Sequence, residues 1–348
     1  MDRRRFLVTS GVAAGALVTP AIWRRAEAAD QVITVRDPGG AYVEAFRDAF
    51  YAPFEKKTGI KVVAAASAHE PTSQIKAMVE AKTYTWDAAL LSLAAHDQLL
   101  AQDLIEPLKI EGSAWDNLPT GYRTPHFAGV DVYSTLIAYR TDTVKNPPTS
   151  WKDFWDVKNF PGKRSLRANP FDTIEEALMA DGVPTEQVYP CDFDRAFKSL
   201  DKIRSSVDVW WKSGAQSTQL LQSGEVDMIA AWNGAAQRVL DAGTPAKLVW
   251  NQNIAGVEGW CILKGTPKAA AVREFVAFSM QPEQQAIISK YMTYGPTNPK
   301  AYEHIDAKRA TLLSTYPDYV KSSRLIDNAF WAKNKDVAIE RFNTWLAN

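Results

Sequence analysis

The stretch that decides the fold is residues 32–63, VITVRDPGGAYVEAFRDAFYAPFEKKTGIKVV. A β-branched run from Val32 to Val35 ends at an Asp-Pro-Gly-Gly turn, and an amphipathic segment follows from Tyr42 to Thr58. Gly59 is typical of a helix end, and Ile60 to Val63 has the composition of a second strand. A strand–helix–strand unit predicts a parallel sheet, in which ligands bind beyond the carboxyl ends of the strands.

Two strand ends of this first region supply candidate ligand contacts. The turn after the first strand ends at Gly40, and a third, largely buried strand from Trp86 to Leu91 stops at Ser92. Because the carboxyl ends of parallel strands meet at one edge of a sheet, we expect Gly40 and Ser92 to lie near the ligand.

A second α/β region follows the β-rich segment from Val130 to Tyr139. Its pattern predicts strands at 164–167, 207–211 and 226–231, alternating with helices at 172–180, 193–203, 216–222 and 234–242. Gly256 to Leu263 is β-like, and the remainder predicts helices at 269–279, 282–290, 300–313 and 328–346. We expect these late helices to return to the first region.

The expected fold class is therefore α/β, with two lobes joined by more than one crossing strand and a hinged cleft between them. Residues 30–138 with 265–348 form the predicted lobe 1, and residues 139–264 form the predicted lobe 2. About 320 residues are too many for one ordinary core, which also favours two lobes.

The first 29 residues have the features of an export signal. Arg3-Arg4-Arg5-Phe6-Leu7 precedes an apolar run from Val12 to Ile22, and Ala26-Glu27-Ala28-Ala29 resembles a cleavage site. The paired arginines resemble the twin-arginine type, and an ordinary secretory signal is the alternative. Since no later stretch reaches the ~18 apolar residues of a membrane helix, we expect a periplasmic protein without membrane insertion.

Charge and motifs exclude several function classes. Residues 30–348 hold 35 basic and 38 acidic residues, a balance that does not favour nucleic acid. The four histidines lack the spacing of a metal pair, and the motifs of serine hydrolases, zinc proteases and phosphate-binding loops are missing. We therefore expect no enzyme activity, no metal and no cofactor. Cys191 and Cys261 are expected to be free or buried more often than bridged.

Several short motifs, in order along about 300 residues, resemble one family. The chain is similar to periplasmic solute-binding proteins of ABC importers, in the branch of the spermidine/putrescine-binding proteins. The resemblance implies a type II-like bilobed fold that closes on one small molecule. It also implies a monomeric protein whose partner is an ABC permease. The matching segments are 54–62, 86–87, 161–164, 224–227, 232–234, 264–267, 282–283 and 294–298.

The resemblance also places candidate ligand residues in the cleft. Trp232 would face a cation or an aliphatic chain, with core packing as the alternative, and Asn233 follows it at the strand end. Asp172 and Glu175 align with residues that hold an amine, or they form a reciprocal helix cap. The remaining candidates are Glu258 as a counter-charge, Tyr294 as a wall, Trp211 at a strand end, and Trp331 from the C-terminal helix.

Departures from the family pattern affect the expected solute. Ala94 and Gly256 stand where the spermidine binders have aromatic residues, which disfavours linear spermidine. The segment from Lys212 to Gln216 opens a helix and could receive a carboxylate, or it is an ordinary helix start. The expected ligand is a small amine-bearing solute, polyamine-like or ω-amino-acid-like, including amino-acid–sugar conjugates. The alternatives are an enzyme on the same fold and a ferric-ion binder that uses Tyr291 and Tyr294.

Overall fold

The computed structural model describes residues 32–67 and 71–347, so the predicted signal at 1–29 lies outside the described residues. Within these ranges the chain forms twelve strands. They are β1 (Val32–Asp37), β2 (Lys61–Ala66), β3 (Ala88–Ser92), β4 (Ile105–Glu106), β5 (Arg123–Thr124), β6 (Phe127–Arg140), β7 (Arg164–Arg167), β8 (Val207–Trp211), β9 (Met228–Trp232), β10 (Ala246–Leu263), β11 (Gly295–Pro296) and β12 (Arg324–Leu325).

Helices cover both faces of the sheet that these strands form. They are α1 (Ala41–Phe46), α2 (Ala52–Thr58), α3 (Thr72–Ala81), α4 (Leu93–Ala101), α5 (Ser113–Asp116), α6 (Trp151–Trp155), α7 (Pro170–Ala180), α8 (Phe193–Ile203), α9 (Gly214–Ser223), α10 (Asn233–Asp241), α11 (Ala269–Ser279), α12 (Pro282–Ile288), α13 (Ala307–Ala310), α14 (Pro317–Val320) and α15 (Asn328–Ala347).

The main strands follow the order β2-β1-β3-β10-β6-β9-β7-β8. Pairing is parallel within the first three strands and within β9, β7 and β8. The long strands β6 and β10 run antiparallel to each other and to their outer neighbours. Two parallel α/β halves therefore share two central crossing strands, which confirms the predicted two-lobed α/β fold.

The crossing strands change neighbours partway along their length. Glu258 to Ile262 of β10 pairs with β3, whereas Thr135 to Tyr139 of β6 pairs with β9. The passage between the halves thus falls near Ser134 and Gly256. The boundaries at 138/139 and 264/265 stay a proposal, and the strand pairing favours points several residues earlier on both strands.

Each half has its own aromatic core. In the first half, Phe46, Phe50, Phe275 and Trp260 are fully buried beside β1 and β3. In the second half, a cluster around Trp151 packs beneath α7 and α8. Burying one such side chain contributes roughly 1.5–3 kcal/mol, so each half holds its shape and supports the strand ends that face the other.

The predicted helix from Tyr42 to Thr58 is interrupted by a π-helical turn at Arg47–Tyr51. Pro53 lies at the start of α2 and has no N–H to donate to the preceding turn, which favours the wider turn there. Gly59 ends α2 at φ 82°, as its position predicts.

The predicted helix at 300–313 is wrong. The chain forms a 3₁₀ segment at Pro299–His304 and then the four-residue α13. Asp306 separates the two because its side chain accepts hydrogen bonds from the backbone N–H groups of Lys308 and Arg309 and so starts a new helix.

The C-terminal helix α15 contacts both halves, although the prediction assigned it to lobe 1. Trp345 packs 5.5 Å from Trp210 and 6.0 Å from Phe197, both of the second half. Lys335 Nζ lies 3.5 Å from Gln98 Oε1 on α4 of the first half. No helix among residues 32–67 and 71–347 is long and apolar enough to cross a membrane.

Candidate ligand-binding cleft

The crossing strands carry two buried carboxylates side by side. Glu258 on β10 is directly opposite Asp131 on β6, and the two residues are 5% and 1% exposed. The hydroxyl of Tyr42 donates to Glu258 Oε2 at 2.8 Å. Neither oxygen of Asp131 makes a well-formed hydrogen bond within the described residues, although the Tyr42 hydroxyl is near it.

The electrostatics of this pair favour a cation. Burial raises the pKa of Asp131 well above its usual range, and the Glu258 carboxylate raises it further. Burial also raises the pKa of Tyr42, and Asp131 and Glu258 add to that shift. A buried carboxylate without a partner is costly, so an ammonium placed here would gain charge-assisted hydrogen bonds.

Three tyrosines line the space next to the acidic pair. The rings of Tyr42 and Tyr294 lie 6.3 Å apart, and Tyr294 lies 6.3 Å from Tyr133. Burial is the main cause that raises the pKa of Tyr294, followed by Glu258. A Cβ at Gly234 would come within 2.8 Å of the Tyr294 ring, so the absence of a side chain there seats that tyrosine.

Gly256 makes room for Tyr133 in the same way. A Cβ on Gly256 would lie 2.3 Å from Cζ of Tyr133. Gly256 stands on β10 where the spermidine binders have an aromatic residue, and its missing side chain leaves space for the ring of Tyr133. The aromatic ring at this place therefore comes from β6 and not from β10.

We expect Gly256→Ala to displace the Tyr133 ring and to lower the free energy of unfolding by about 1–3 kcal/mol, the usual cost of overpacking. Thermal unfolding of the purified protein measures this loss. The double variant Gly256→Ala/Tyr133→Ala should recover part of it, because the clash is then removed. Equal losses in the single and double variants would contradict the proposed steric cause.

The second half contributes an arginine between two tryptophans. Arg167 ends β7, and its guanidinium carbon lies 4.9 Å from the Trp232 ring centroid and 5.8 Å from that of Trp211. Trp211 is fully buried and donates to the Ala230 carbonyl at 2.7 Å. The indole N–H of Trp232 is buried without a partner within the described residues, and the Trp211 ring packs 5.3 Å from that of Trp232.

Asp172 lies beside Arg167 but does not cap the helix. The cap of α7 is Asn169, whose side chain accepts from the Phe171 N–H at 3.0 Å. Asp172 lies at a kink in α7, where the backbone of Phe171 and Asp172 is non-helical; it has φ 70°, is 1% exposed, and accepts from Arg167 Nη1 at 2.9 Å. The reciprocal-cap alternative is wrong, because the Asp172 side chain pairs with Arg167 and the Glu175 side chain accepts from Tyr189 and Trp331. A left-handed φ at an aspartate costs roughly 1–2 kcal/mol, which the pairing with Arg167 offsets.

Glu175 and Trp331 form a separate cluster. Trp331 Nε1 donates to Glu175 Oε1 at 2.7 Å, and the Tyr189 hydroxyl donates to the same oxygen. Burial raises the pKa of Glu175 from 4.5 to about 7. The Trp331 ring also packs 4.4 Å from that of Phe171. The structure thus pairs these two predicted site residues with each other and not with Asp131.

Three further predicted residues have structural contacts. The Asn233 amide accepts from the Ser134 N–H at 2.9 Å and donates to the Thr293 carbonyl at 2.8 Å, so it ties the lobes together near the crossing. Ser92 accepts from the Ala95 N–H and caps α4. Gly40 is exposed and precedes α1 at φ 59°.

The sequence left open whether the segment from Lys212 to Gln216, at the start of α9, binds a carboxylate of the solute. Side chains of this segment already hydrogen-bond to some of its backbone N–H groups. Ser213 accepts from the Gln216 N–H at 3.2 Å, and Gln216 Oε1 accepts from the Lys212 N–H at 2.8 Å. These contacts fit an ordinary cap, the alternative that the sequence left open.

Sequence reasoning missed Asp131, Tyr42, Tyr133 and Arg167. One signal was present, because Asp131 is an acid within the apolar run of residues 127–140. Arg167 is the last residue of a strand that was predicted with its observed bounds. Both cysteines are buried and are not bridged to each other, as expected. Within the described part of the chain, no group of three or more His, Cys, Asp or Glu side chains is placed to hold a metal.

Two curated relatives match most of the chain. It is 34% identical over 331 residues to the gamma-aminobutyric acid-binding protein of Pseudomonas aeruginosa, which covers 92% of this chain and 93% of the relative. It is 23% identical over 299 residues to the spermidine/putrescine-binding periplasmic protein of Escherichia coli, which covers 82% of this chain and 83% of the relative.

Solved structures share the fold at similar identity. An ABC transporter substrate-binding protein from Bradyrhizobium japonicum USDA 110 is 38% identical, with a TM-score of 0.85 over 91% of this chain and 99% of that chain. The Atu4243-GABA receptor is 32% identical, with a TM-score of 0.82 over 91% and 98%. A binding protein from A. tumefaciens B6 in complex with glucopine is 32% identical, with a TM-score of 0.77 over 91% and 99%.

The profile described as "Bacterial extracellular solute-binding protein" matches residues 49–315, most of the chain. The two lobes, the cleft and these relatives agree with the resemblance predicted from the sequence motifs. The chain belongs to the bacterial extracellular solute-binding protein family.

Proposed function

We propose that this chain is a periplasmic receptor that binds a short ω-amino acid of the γ-aminobutyrate type and presents it to an ABC permease. The observation that carries the proposal is the buried Asp131 carboxylate beside Glu258, on the strands that join the lobes. An ammonium beside this pair would satisfy the buried oxygens of Asp131, which otherwise cost free energy.

The opposite end of the cleft favours a carboxylate over a second ammonium. Arg167 pairs with Asp172, and burial raises the pKa of the neighbouring Glu176, which favours the neutral form of that carboxyl. Arg167 makes one side-chain hydrogen bond within the described residues and has further N–H groups to offer. A linear polyamine would place its second charge near a cation here.

The spacing of the two ends suits a short solute. Thr135 is the pairing partner of Trp232, and it lies four residues from Asp131 along β6. At about 3.3 Å per residue these strand positions are roughly 13 Å apart, close to the span of an ω-amino acid with a hydrogen bond at each end. The names of the relatives at 34% and 32% identity support the same solute class.

Lobe closure is the proposed mechanical step. Ligand contacts from both lobes bind better in the closed state, and this differential affinity shifts the hinge equilibrium. Export through the predicted twin-arginine signal, a periplasmic location, a monomeric state and permease docking belong to the same proposal. They rest on the sequence at 1–29 and on the family.

The ferric-ion alternative is disfavoured by the position of its tyrosines. The Tyr291 hydroxyl donates to Asp48 on the protein surface, whereas Tyr294 packs against Tyr42 and Tyr133 in the cleft. Both residues line one cavity, but the Tyr291 hydroxyl is already engaged by Asp48. The enzyme alternative has no favouring observation.

A ligand panel tests the function. Residues 30–348 are purified, stripped of ligand by partial unfolding, and titrated by calorimetry with γ-aminobutyrate, 5-aminovalerate, putrescine, spermidine and ferric citrate. We expect one-to-one binding of the ω-amino acids without turnover and at least about tenfold weaker binding of putrescine, since its second ammonium approaches Arg167. Preferred binding of polyamines, or conversion of the bound solute, would contradict the proposal.

A further inference from the structure

The C-terminal helix α15 places a buried tryptophan against the kink in α7. Trp331 is 1% exposed, and its ring packs 4.4 Å from the ring of Phe171. Its indole N–H donates to Glu175 Oε1 at 2.7 Å. Phe171 and Glu175 lie on opposite sides of Asp172 in the sequence, so one side chain of α15 holds α7 both before and after that residue.

The backbone of the kink is strained. Phe171 has ψ 136° and Asp172 has φ 70°, and both values are non-helical. An aspartate in the left-handed region costs free energy, and this conformation persists only where the surrounding contacts hold it. Two of these contacts lead to the end of β7, because Asp172 accepts from Arg167 Nη1 at 2.9 Å and the Thr173 hydroxyl donates to the Arg167 carbonyl at 3.1 Å. The kink therefore fixes one corner of the Arg167 guanidinium.

Arg167 is accessible, whereas the carboxylate that holds it is not. The side chain of Arg167 is 22% exposed, and that of Asp172 is 1% exposed. A guanidinium is planar and carries its N–H groups in a rigid fork, so it binds a carboxylate well only when its plane has the right orientation. Asp172 engages one corner of this fork, and the Trp232 ring centroid lies 4.9 Å from its carbon. A shift of Asp172 would rotate the fork against that ring.

We propose that Trp331 is a positioning residue, which holds the kink of α7 and thereby orients the Arg167 guanidinium toward the carboxylate of the solute. The inference rests on the proposed function, because that carboxylate is taken to lie against Arg167. Trp331 then acts without touching the solute, in place of the direct contact that the sequence suggested. Side chains that bind a ligand need such support from their neighbours to keep a productive orientation. The alternative is that Trp331 only fills the core of the second half, where it also packs 6.2 Å from Phe193.

Calorimetric titration with γ-aminobutyrate tests this role. Trp331→Phe keeps a ring against Phe171 and removes the N–H, and Glu175→Met removes the acceptor. We expect either variant to weaken binding about fivefold, and Glu175→Gln to weaken it less, because its amide oxygen still accepts. Trp345→Phe is the matched control, since Trp345 also donates an indole hydrogen bond, to Asp201 at 2.7 Å, but lies about 21 Å further along α15. It should change the affinity less than about twofold.

A double-mutant cycle with Arg167→Lys distinguishes positioning from core filling. Lysine keeps the positive charge beside Asp172 but has no planar fork to orient, so Arg167→Lys alone should weaken binding about tenfold. If Trp331 acts through Arg167, Trp331→Phe should weaken binding by less than about twofold in the Arg167→Lys background. A loss of about fivefold in both backgrounds overturns the inference, since Trp331 would then act independently of Arg167. An unchanged affinity in Arg167→Lys overturns it as well.

The remaining outcomes separate this inference from the proposed function. Binding of γ-aminobutyrate by the parent chain, with no loss in Trp331→Phe or Glu175→Met, overturns the inference and leaves the function standing. No binding by the parent chain overturns both proposals. Melting temperatures verify that the variants fold, and if Trp331→Phe does not, Glu175→Met takes its place in the cycle.

Discussion

Asp131→Asn should stabilise the ligand-free protein and nearly abolish solute binding. The substitution keeps the shape of the side chain and removes a buried carboxylate that has no hydrogen-bond partner within the described residues. Relief of that cost should raise the melting temperature by roughly 2–6 °C. The same change removes the counter-charge for the ammonium, which should weaken binding by about 30-fold or more. Calorimetric titration and thermal unfolding measure the two effects on one sample.

The prediction is specific because the melting temperature should rise while the affinity for the solute falls. A substitution that merely damages the fold would lower the melting temperature and the affinity together. Glu80→Gln is the matched control, since this acid on α3 has a side chain 63% exposed and pairs loosely with Lys76 at 3.9 Å. It should leave both quantities unchanged. If Asp131→Asn bound the ω-amino acids as tightly as the parent chain, Asp131 would not be the counter-ion.

The second large effect is a pH dependence of the ligand-free protein. Burial raises the pKa of Glu175 from 4.5 to about 7, so the folded state holds its proton across that interval while the unfolded state releases it. The folded state binds more protons there, so the contribution of Glu175 to the free energy of unfolding falls as pH rises from about 4.5 to 7, while the lowered pKa of His126 acts in the opposite direction. Burial raises the pKa values of Asp131 and Glu176 as well, which acts in the same direction.

The shift at Glu175 sets the size of its own contribution to this dependence. A shift from 4.5 to about 7 corresponds to roughly 3 kcal/mol over the full interval. Urea unfolding at a series of pH values measures it, and Glu175→Gln should flatten the slope. Surface carboxylates with lowered pKa values, such as Asp142 and Asp181, act at lower pH and stay outside this window. Stability that rises between pH 5 and 7.5 would contradict the assignment.

Solute affinity should change in the reverse direction over the same range. Protons compete with the ammonium for Asp131, so binding weakens as pH falls. Calorimetry in buffers of different ionisation enthalpy should then detect proton release when the solute binds at a pH below the raised pKa of Asp131.

Local patterning predicted most of the secondary structure. The strands at 164–167 and 207–211 and the helices at 193–203 and 269–279 have the bounds that their apolar periodicity indicates. The failures occur where a side chain competes with the backbone. Asp306 starts a new helix inside a predicted one, and the Asp172 side chain accepts from Arg167 instead of capping a helix.

The candidate site was predicted less well, because it depends on pairing between distant strands. Glu258 was identified, but the sequence gives no register for β10 against β6, so its neighbour Asp131 could not be assigned. Asn233 and Glu175 have polar side chains and were predicted to contact the solute in the same way as Glu258. Their partners Thr293 and Trp331 lie 60 and 156 residues away, and only the tertiary contacts show that Asn233 and one oxygen of Glu175 are already engaged within the protein.

The sequence by itself determined the alternation of strands and helices, the two-lobed class and the family, since these follow from local periodicity and from motifs in order along the chain. The tertiary structure decided which charges meet. It placed Asp131 against Glu258 through strand register, seated Tyr133 over Gly256, and put Arg167 beside Trp232 at the ends of neighbouring strands. Periodicity specifies which face of an element is buried, whereas a binding site requires the positions of groups that only long-range packing brings together.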